Sequence, residues 1–164
     1  MSVFADGTLV VRAEEAEHLD FPTQAMQLLA NKADTAGAFS VVRGTLKAGA
    51  DGARPHTHKG SSELFYVLDG RADILVGDDV VTASKGDLAV IAPNTMHAFA
   101  AAKGEAADLL ILFSPAIDRF EYFRLLKRVV AGETNISEVL ASQERFDNWF
   151  SDSEAWTAYQ AAKK

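Results

Sequence analysis

The sequence predicts an all-β domain, an antiparallel sandwich or barrel, with a helical extension behind it. Three observations point there. From residue 7 to about 114, short apolar runs alternate with Gly/Asp turn residues at regular spacing, the pattern of successive antiparallel strands. After Pro115 the apolar period changes from that of strands to that of helices. The chain's 164 residues, 48% hydrophobic and 24% charged, suit one compact domain with a real core.

Taken in order, "TLVVRA", "AMQLLANKA", "FSVVRGTLKAG", "ELFYVLDG", "RADILVG", "DVVTAS", "DLAVIAP", "HAFAAA" and "DLLILFSP" are the expected strands. Gly-Asp-Asp at 77–79, Lys-Gly-Asp at 85–87 and Lys-Gly-Glu at 103–105 separate them. Asp69-Gly70 between "LFYVL" and "RADILV" predicts a two-residue hairpin, because Gly accepts a positive φ without steric cost. In "AIDRFEYFRLLKRVVAGE", Ile117, Phe120, Phe123, Leu126 and Val130 recur at helical spacing, with Arg119, Glu121, Arg124, Lys127 and Arg128 between them. Asn135 and Glu138 open "NISEVLASQERFDNWF" in the manner of a capping box. A last helical segment around Trp156 and Tyr159 is expected to dock on the rest. The predicted division is a barrel over 1–115 and an extension over 116–164, packed on the barrel or on a partner subunit.

Composition narrows the function. A formal net charge of −7 and a pI near 5.0 argue against sequence-independent binding to nucleic acid or anionic membranes, both of which need basic surface. No run approaches the length of a membrane span. The start "MSVFADGTLVVRAEEAEHLD" lacks a basic segment followed by an apolar one, so no secretory signal is expected. Without cysteine there are no disulfides, thiolate nucleophiles or Cys-ligated metals, which fits a cytoplasmic protein. Any metal must be held by histidine and carboxylate.

The segment "RPHTHKGSSELFYVLDG" supplies both. On an extended strand His56 and His58 point to one side, about 6.5–7 Å apart. If "ELFYVL" doubles back, Glu63 arrives beside them, giving donors that suit a divalent first-row metal. His97, opening the strand after "GDLAVIAPNTM", is a fourth candidate, whereas His18 in "AEEAEHLDF" reads as surface. By alternation Phe65 and Val67 follow Glu63 inward, and Phe99 follows His97. Phe65 and Phe99 then line an apolar chamber for a flat or hydrophobic substrate. Arg54 and Lys59 flank the first motif, and either can meet an anionic group.

"PHTHKGSSELFYVLDG" and "GDLAVIAPNTMHAF" together resemble the two motifs of the cupin superfamily, in particular the quercetin dioxygenase-like single-domain proteins. The likeness spans about residues 39 to 114. Departures fall at turns: Gly49 and Gly52 straddle the place of the family's opening glycine, Ala92 stands for a proline, and Asn94 for a glycine. "FSPAIDRFEYF" is also similar to the exit segment of those proteins. The resemblance implies a jelly-roll barrel holding one divalent metal ion, iron or manganese before nickel, cobalt, copper or zinc. It implies ligands His56, His58, Glu63 and His97, with Glu63 able to act as a base. The activity implied first is a dioxygenase acting on a small aromatic or enediol/enolate-type substrate. A non-redox isomerase, cyclase or lyase of secondary metabolism comes second, and a non-catalytic small-molecule-binding module third. A homodimer is expected, since small barrels commonly cover exposed strand edges with a partner.

Overall fold

The computed structural model describes residues 2–3 and 7–163; residues 1, 4–6 and 164, within the two expected segments, lie outside the described residues. In chain order the strands are β1 Ser2–Val3, β2 Leu9–Val10, β3 Glu17–Asp20, β4 Gln24–Ala30, β5 Ser40–Leu46, β6 His56–Thr57, β7 Ser62–Val76, β8 Asp79–Ser84, β9 Leu88–Ile91, β10 His97–Ala101, β11 Ala107–Ser114 and β12 Trp149–Phe150. The helices are α1 Arg119–Val130, α2 Ile136–Ala141 and α3 Glu154–Lys163. β1 and β2 pair with each other, and the other strands form the jelly-roll barrel, every pairing antiparallel.

Two sheets share the long strand β7. Its first half lies between β9 and β11, and the sheet continues through β5 and β4 to β3. Its second half lies between β8 and β10, and that sheet continues through β6 to β12. A strand that changes sheets must bend, and β7 does so at the Asp69-Gly70 pair expected to make a hairpin. The expected hairpin is therefore corrected: "ELFYVL" and "RADILV" are one strand. Against β11 the register slips between Asp108 and Leu109, so that Leu68 is left over, and Gly70 takes φ of +72°. The tight turn comes one run later, at Gly77-Asp78, where Val76 pairs with Asp79 and Gly77 has φ of +64°.

Alternation builds the core. Ala107, Leu109, Ile111 and Phe113 of β11 and Val42 and Leu46 of β5 face inward with Phe65, Val67, Ile74 and Phe99. β10 breaks the alternation, being buried at every position. Its outer face lies under α3, where Trp156 packs on Leu75, Ala98 and Ala100. Tyr159 stacks on Trp156 at 4.8 Å between ring centroids and donates its hydroxyl to Asp73 at 2.5 Å. Both aromatics thus dock the chain's end on the barrel.

The rest of the tail departs from its sequence pattern. The buried residues of α1 are Arg119 and Tyr122, whereas Val130 is exposed. The helix opened by Asn135, whose Oδ1 accepts from Ser137 N at 2.9 Å, ends at Ala141. Trp149 and Phe150 then pair as an edge strand with Thr57 and His56. Helical periodicity in this stretch reports only where apolar residues fall, and the barrel edge at β6 offers Trp149 and Phe150 a strand to join.

Candidate metal centre and its chamber

Strand pairing brings the four motif residues together. His56 on β6 sits directly opposite His97 on β10, and β10 in turn pairs with β7, the strand that carries Glu63. His58 follows β6 on the same side as His56. Ring centroids are 4.2 Å apart for His56 and His97, 4.9 Å for His56 and His58, and 5.2 Å for His58 and His97. One ligand atom from each of the three histidines and from Glu63 lies within 4.8 Å of all the others, and all four residues are buried. His18, by contrast, is exposed.

Each ring is oriented by a backbone carbonyl. His56 Nδ1 donates to Arg54 O at 2.8 Å, His97 Nδ1 to Thr95 O at 2.9 Å, and His58 Nδ1 to Asp147 O. A carbonyl can only accept, so each Nδ1 carries its proton, and a neutral ring presents the lone pair of Nε2 inward. Those nitrogens converge on Glu63 Oε2, with His97 at 2.7 Å, His58 at 2.9 Å and His56 at 3.8 Å. Burial would raise the Glu63 carboxyl, but its contacts with the imidazoles outweigh that and hold it well below the usual carboxylate range. Burial depresses His56 to about 4, so its ring is neutral at physiological pH. Its Nε2 is buried with no hydrogen-bond partner. With each Nδ1 already donating to a carbonyl, inward nitrogens and an ionised carboxylate are reconciled by a cation between them, either a second proton on a ring or a metal ion. Three imidazoles and a carboxylate are donors that first-row divalent ions accept, and the residues fit a metal ion.

A cavity of about 290 Å³ opens against this centre, lined by His56 and Glu63 on one side. Its walls include Phe99, Phe113 and Met26 from the barrel and Phe123, Leu126 and Val139 from the helices. Of the residues expected to meet substrate, Phe99 and Arg54 line the cavity. Gly52 sits against that wall, where a Cβ would fall 2.3 Å from the Phe99 ring. Phe65 lies behind, fully buried, 5.1 Å from Phe99 and 6.4 Å from His97 between ring centroids, and outside the cavity lining. Arg54 rests over Phe150 at 5.1 Å, 4.0 Å from Asp152. Lys59 lies over Trp149 at 3.3 Å and is not part of the lining. A second hollow of about 510 Å³ between α1 and α2 is ringed by charged residues such as Glu121 and Arg128 and contains none of the four convergent groups.

The tail supplies residues that no motif announced. Asp147 accepts His58 Nδ1 on its carbonyl, and its carboxylate accepts Lys59 N and Gly60 N, each at 2.8 Å. It thereby holds the loop between β6 and β7 in place. Arg119, Tyr122 and Asn148 also line the cavity, each less than a tenth exposed. Burial pushes the Tyr122 hydroxyl above its ordinary value, so it stays protonated. An arginine at the start of an amphipathic helix carries no sequence sign of such burial.

Comparison with known proteins agrees with this architecture. The cupin-domain family model matches residues 42–113. No curated protein matches the chain. Among solved structures, KdgF from Halomonas sp. superposes with a TM-score of 0.56 at 25% identity, over 65% of this chain and 93% of that one. The polyketide cyclase RemF from Streptomyces resistomycificus gives 0.56 at 16%, over 66% of this chain and 80% of that one. A predicted oxalate decarboxylase from Thermotoga maritima gives 0.57 at 22%, over 65% of this chain and 98% of that one. The last two share the fold.

Proposed function

We propose that this chain, whose residues 42–113 match the cupin-domain family and which carries a buried His-His-Glu-His group, is a metal-dependent enzyme for a small, largely apolar organic substrate, with dioxygenation as its leading reaction. The observation that carries this is the orphaned Nε2 of His56, a ligand nitrogen facing both an ionised carboxylate and a chamber. His56, His58, Glu63 and His97 would hold the ion. When bound, it supplies Lewis-acid polarisation of a substrate oxygen and, as iron or manganese, redox chemistry with dioxygen.

The remaining work falls to the protein. The carbonyls of Arg54, Thr95 and Asp147 keep the three Nε2 atoms turned inward. Glu63, at the cavity wall, is the proposed base for a substrate hydroxyl or an activated C–H, acting where substrate binding loosens the imidazole contacts that hold its carboxyl low. Phe99, Phe113 and Phe123 exclude water and hold a flat molecule. The volume is at the small end of the roughly 300–1,000 Å³ usual for ligand pockets, which favours a substrate of one or two rings. On this reading residues 116–164 close the chamber of the 1–115 barrel.

A second reading is a non-redox isomerase, cyclase or lyase. It is favoured by Tyr122 and Arg119, a protonated hydroxyl and a cation on the same wall, which can steady and reprotonate an enolate without oxygen. The expected result with iron- or manganese-loaded protein is oxygen uptake stoichiometric with loss of an aromatic enediol, measured at an oxygen electrode. Turnover at an unchanged rate under argon selects the second reading. Ligand binding that survives chelation, with no turnover, removes both.

Homodimerisation belongs to the same proposal. β9 is an edge strand, and Leu88, Val90 and neighbouring Tyr66 are exposed on it and on β7. Light scattering is expected to give twice the chain mass, and Leu88→Glu to shift it toward the monomer; a monomeric wild type refutes the pairing.

A further inference from the structure

Among the described residues, four buried side-chain polar atoms lack a hydrogen-bond partner, and three of them belong to residues lining the one chamber: His56 Nε2, Arg119 Nε and Asn148 Nδ2. The first is a metal-ligand nitrogen. The other two are donors, and the metal reading leaves them unexplained.

Arg119 is only 3% exposed. Its guanidinium is gripped by aromatic faces, 4.3 Å from the Phe113 ring centroid, 4.6 Å from Tyr122 and 5.5 Å from Phe123. It has no carboxylate in salt-bridge contact among the described residues. The polar partner found for it is Asn148 Oδ1, reached by Nη1 and Nη2 at 3.4 Å each, longer than the about 2.7–3.2 Å of an ordinary bond. Five guanidinium donors thus share one weak acceptor. Buried arginines normally meet a carboxylate or phosphate, because an unpaired buried charge is costly. The nearby negative charge that acts on Arg119 most strongly is Glu63. Once Glu63 is given to a dication, the chamber holds a surplus of about two positive charges.

We propose that Arg119, with Asn148 beside it, is a carboxylate-recognition site, so that the chamber's substrate is a small aromatic or apolar carboxylate anchored there with its body against the four-residue centre. This deepens the metal-enzyme reading and rests on it for where the reacting end lies. Arg54 is a poorer anchor, because its side chain is 58% exposed and its charge is met by solvent and Asp152.

The test is calorimetric titration of the full chain loaded with Zn(II), a redox-inert ion, using cinnamate and its neutral isostere cinnamamide. Wild type is expected to bind the acid at least tenfold more tightly. Arg119→Met is expected to lose that difference while retaining the metal, and to melt no lower than wild type, since it removes an unpaired charge. A merely structural arginine would lower the melting temperature instead. Asn148→Asp supplies Arg119 with an internal carboxylate, and is expected to raise the melting temperature while excluding cinnamate. Equal binding of acid and amide by wild type, binding of neither at millimolar concentration, or an acid preference that survives Arg119→Met would each overturn the proposal. The last outcome assigns the preference to the metal. Zinc content, measured on every sample, separates this failure from failure of the metal centre itself.

Discussion

Replacing His58 with alanine is expected to end metal retention. Wild-type protein should carry one divalent ion per chain, and the variant close to none. His58 Nε2 stands 2.9 Å from Glu63 Oε2, with its ring set by the Asp147 carbonyl, so the substitution removes a donor and leaves the carboxylate with one fewer neighbour. Loss of an outer hydrogen-bond partner of a ligand typically lowers metal affinity by about 10–100-fold. Loss of the ligand itself should exceed that. Asp147→Ala provides the comparison: it cuts the ties to Lys59 N and Gly60 N but leaves the backbone carbonyl, and should fall inside the smaller range. The second readout is thermal. A free metal concentration of about 100 times Kd stabilises the fold by about 2.7 kcal/mol. That shift should appear for wild type and vanish for His58→Ala. Elemental analysis finding one tightly held ion in the variant would remove His58 from the ligand set.

Gly70→Ala is expected to be the most destabilising small substitution in the barrel, by roughly 2–5 kcal/mol. Two costs combine. The residue has φ of +72°, where a Cβ is strained, and that Cβ would lie 2.0 Å from Ala106 O and 2.9 Å from Ala106 C. Those obstacles are backbone, so no side chain can swing aside. Opening the strand there would break the Arg71 N bond to Ala106 O, 3.0 Å long, at the bend where β7 changes sheets. Against a typical total stability of about 5–15 kcal/mol, the loss is large. Gly77→Ala separates the two terms, because Gly77 has φ of +64° but nothing within 4 Å of its would-be Cβ. It should cost only about 1–2 kcal/mol. Equal denaturant midpoints for the two variants would show that the close approach to Ala106 is not felt.

The same glycine marks a boundary of what local sequence can say. Asp69-Gly70 correctly signals a residue with positive φ, but such a glycine serves a sheet-crossing bend as well as a hairpin. Which one forms depends on whether β11 is present to pair continuously across the junction, and Asp108 and Ala107 are about 40 residues away in the chain. Inward-facing positions were readable, because side chains alternate with a period of two wherever one face of a strand is buried. Glu63, Phe65 and Val67 follow that rule. β10 does not, since burial of its outer face depends on α3 docking there.

By itself, the sequence determined the all-β class, most of the turns and the shared side of His56 and His58, each of which rests on short-range spacing: alternation along a strand and glycine in a turn. The centre of His56, His58, Glu63 and His97 was implied by the resemblance of two motifs to cupins, and long-range strand pairing assembles it. Only the tertiary structure decided what encloses that centre. Arg119 reads as one of several cations on the polar side of α1, and Asp147 and Asn148 as loop residues, until the tail folds back over the barrel mouth and buries Arg119 and Asn148. Burial of a charged side chain is set by what packs above it, and for Arg119 that cover includes Asn148, 29 residues further along the chain.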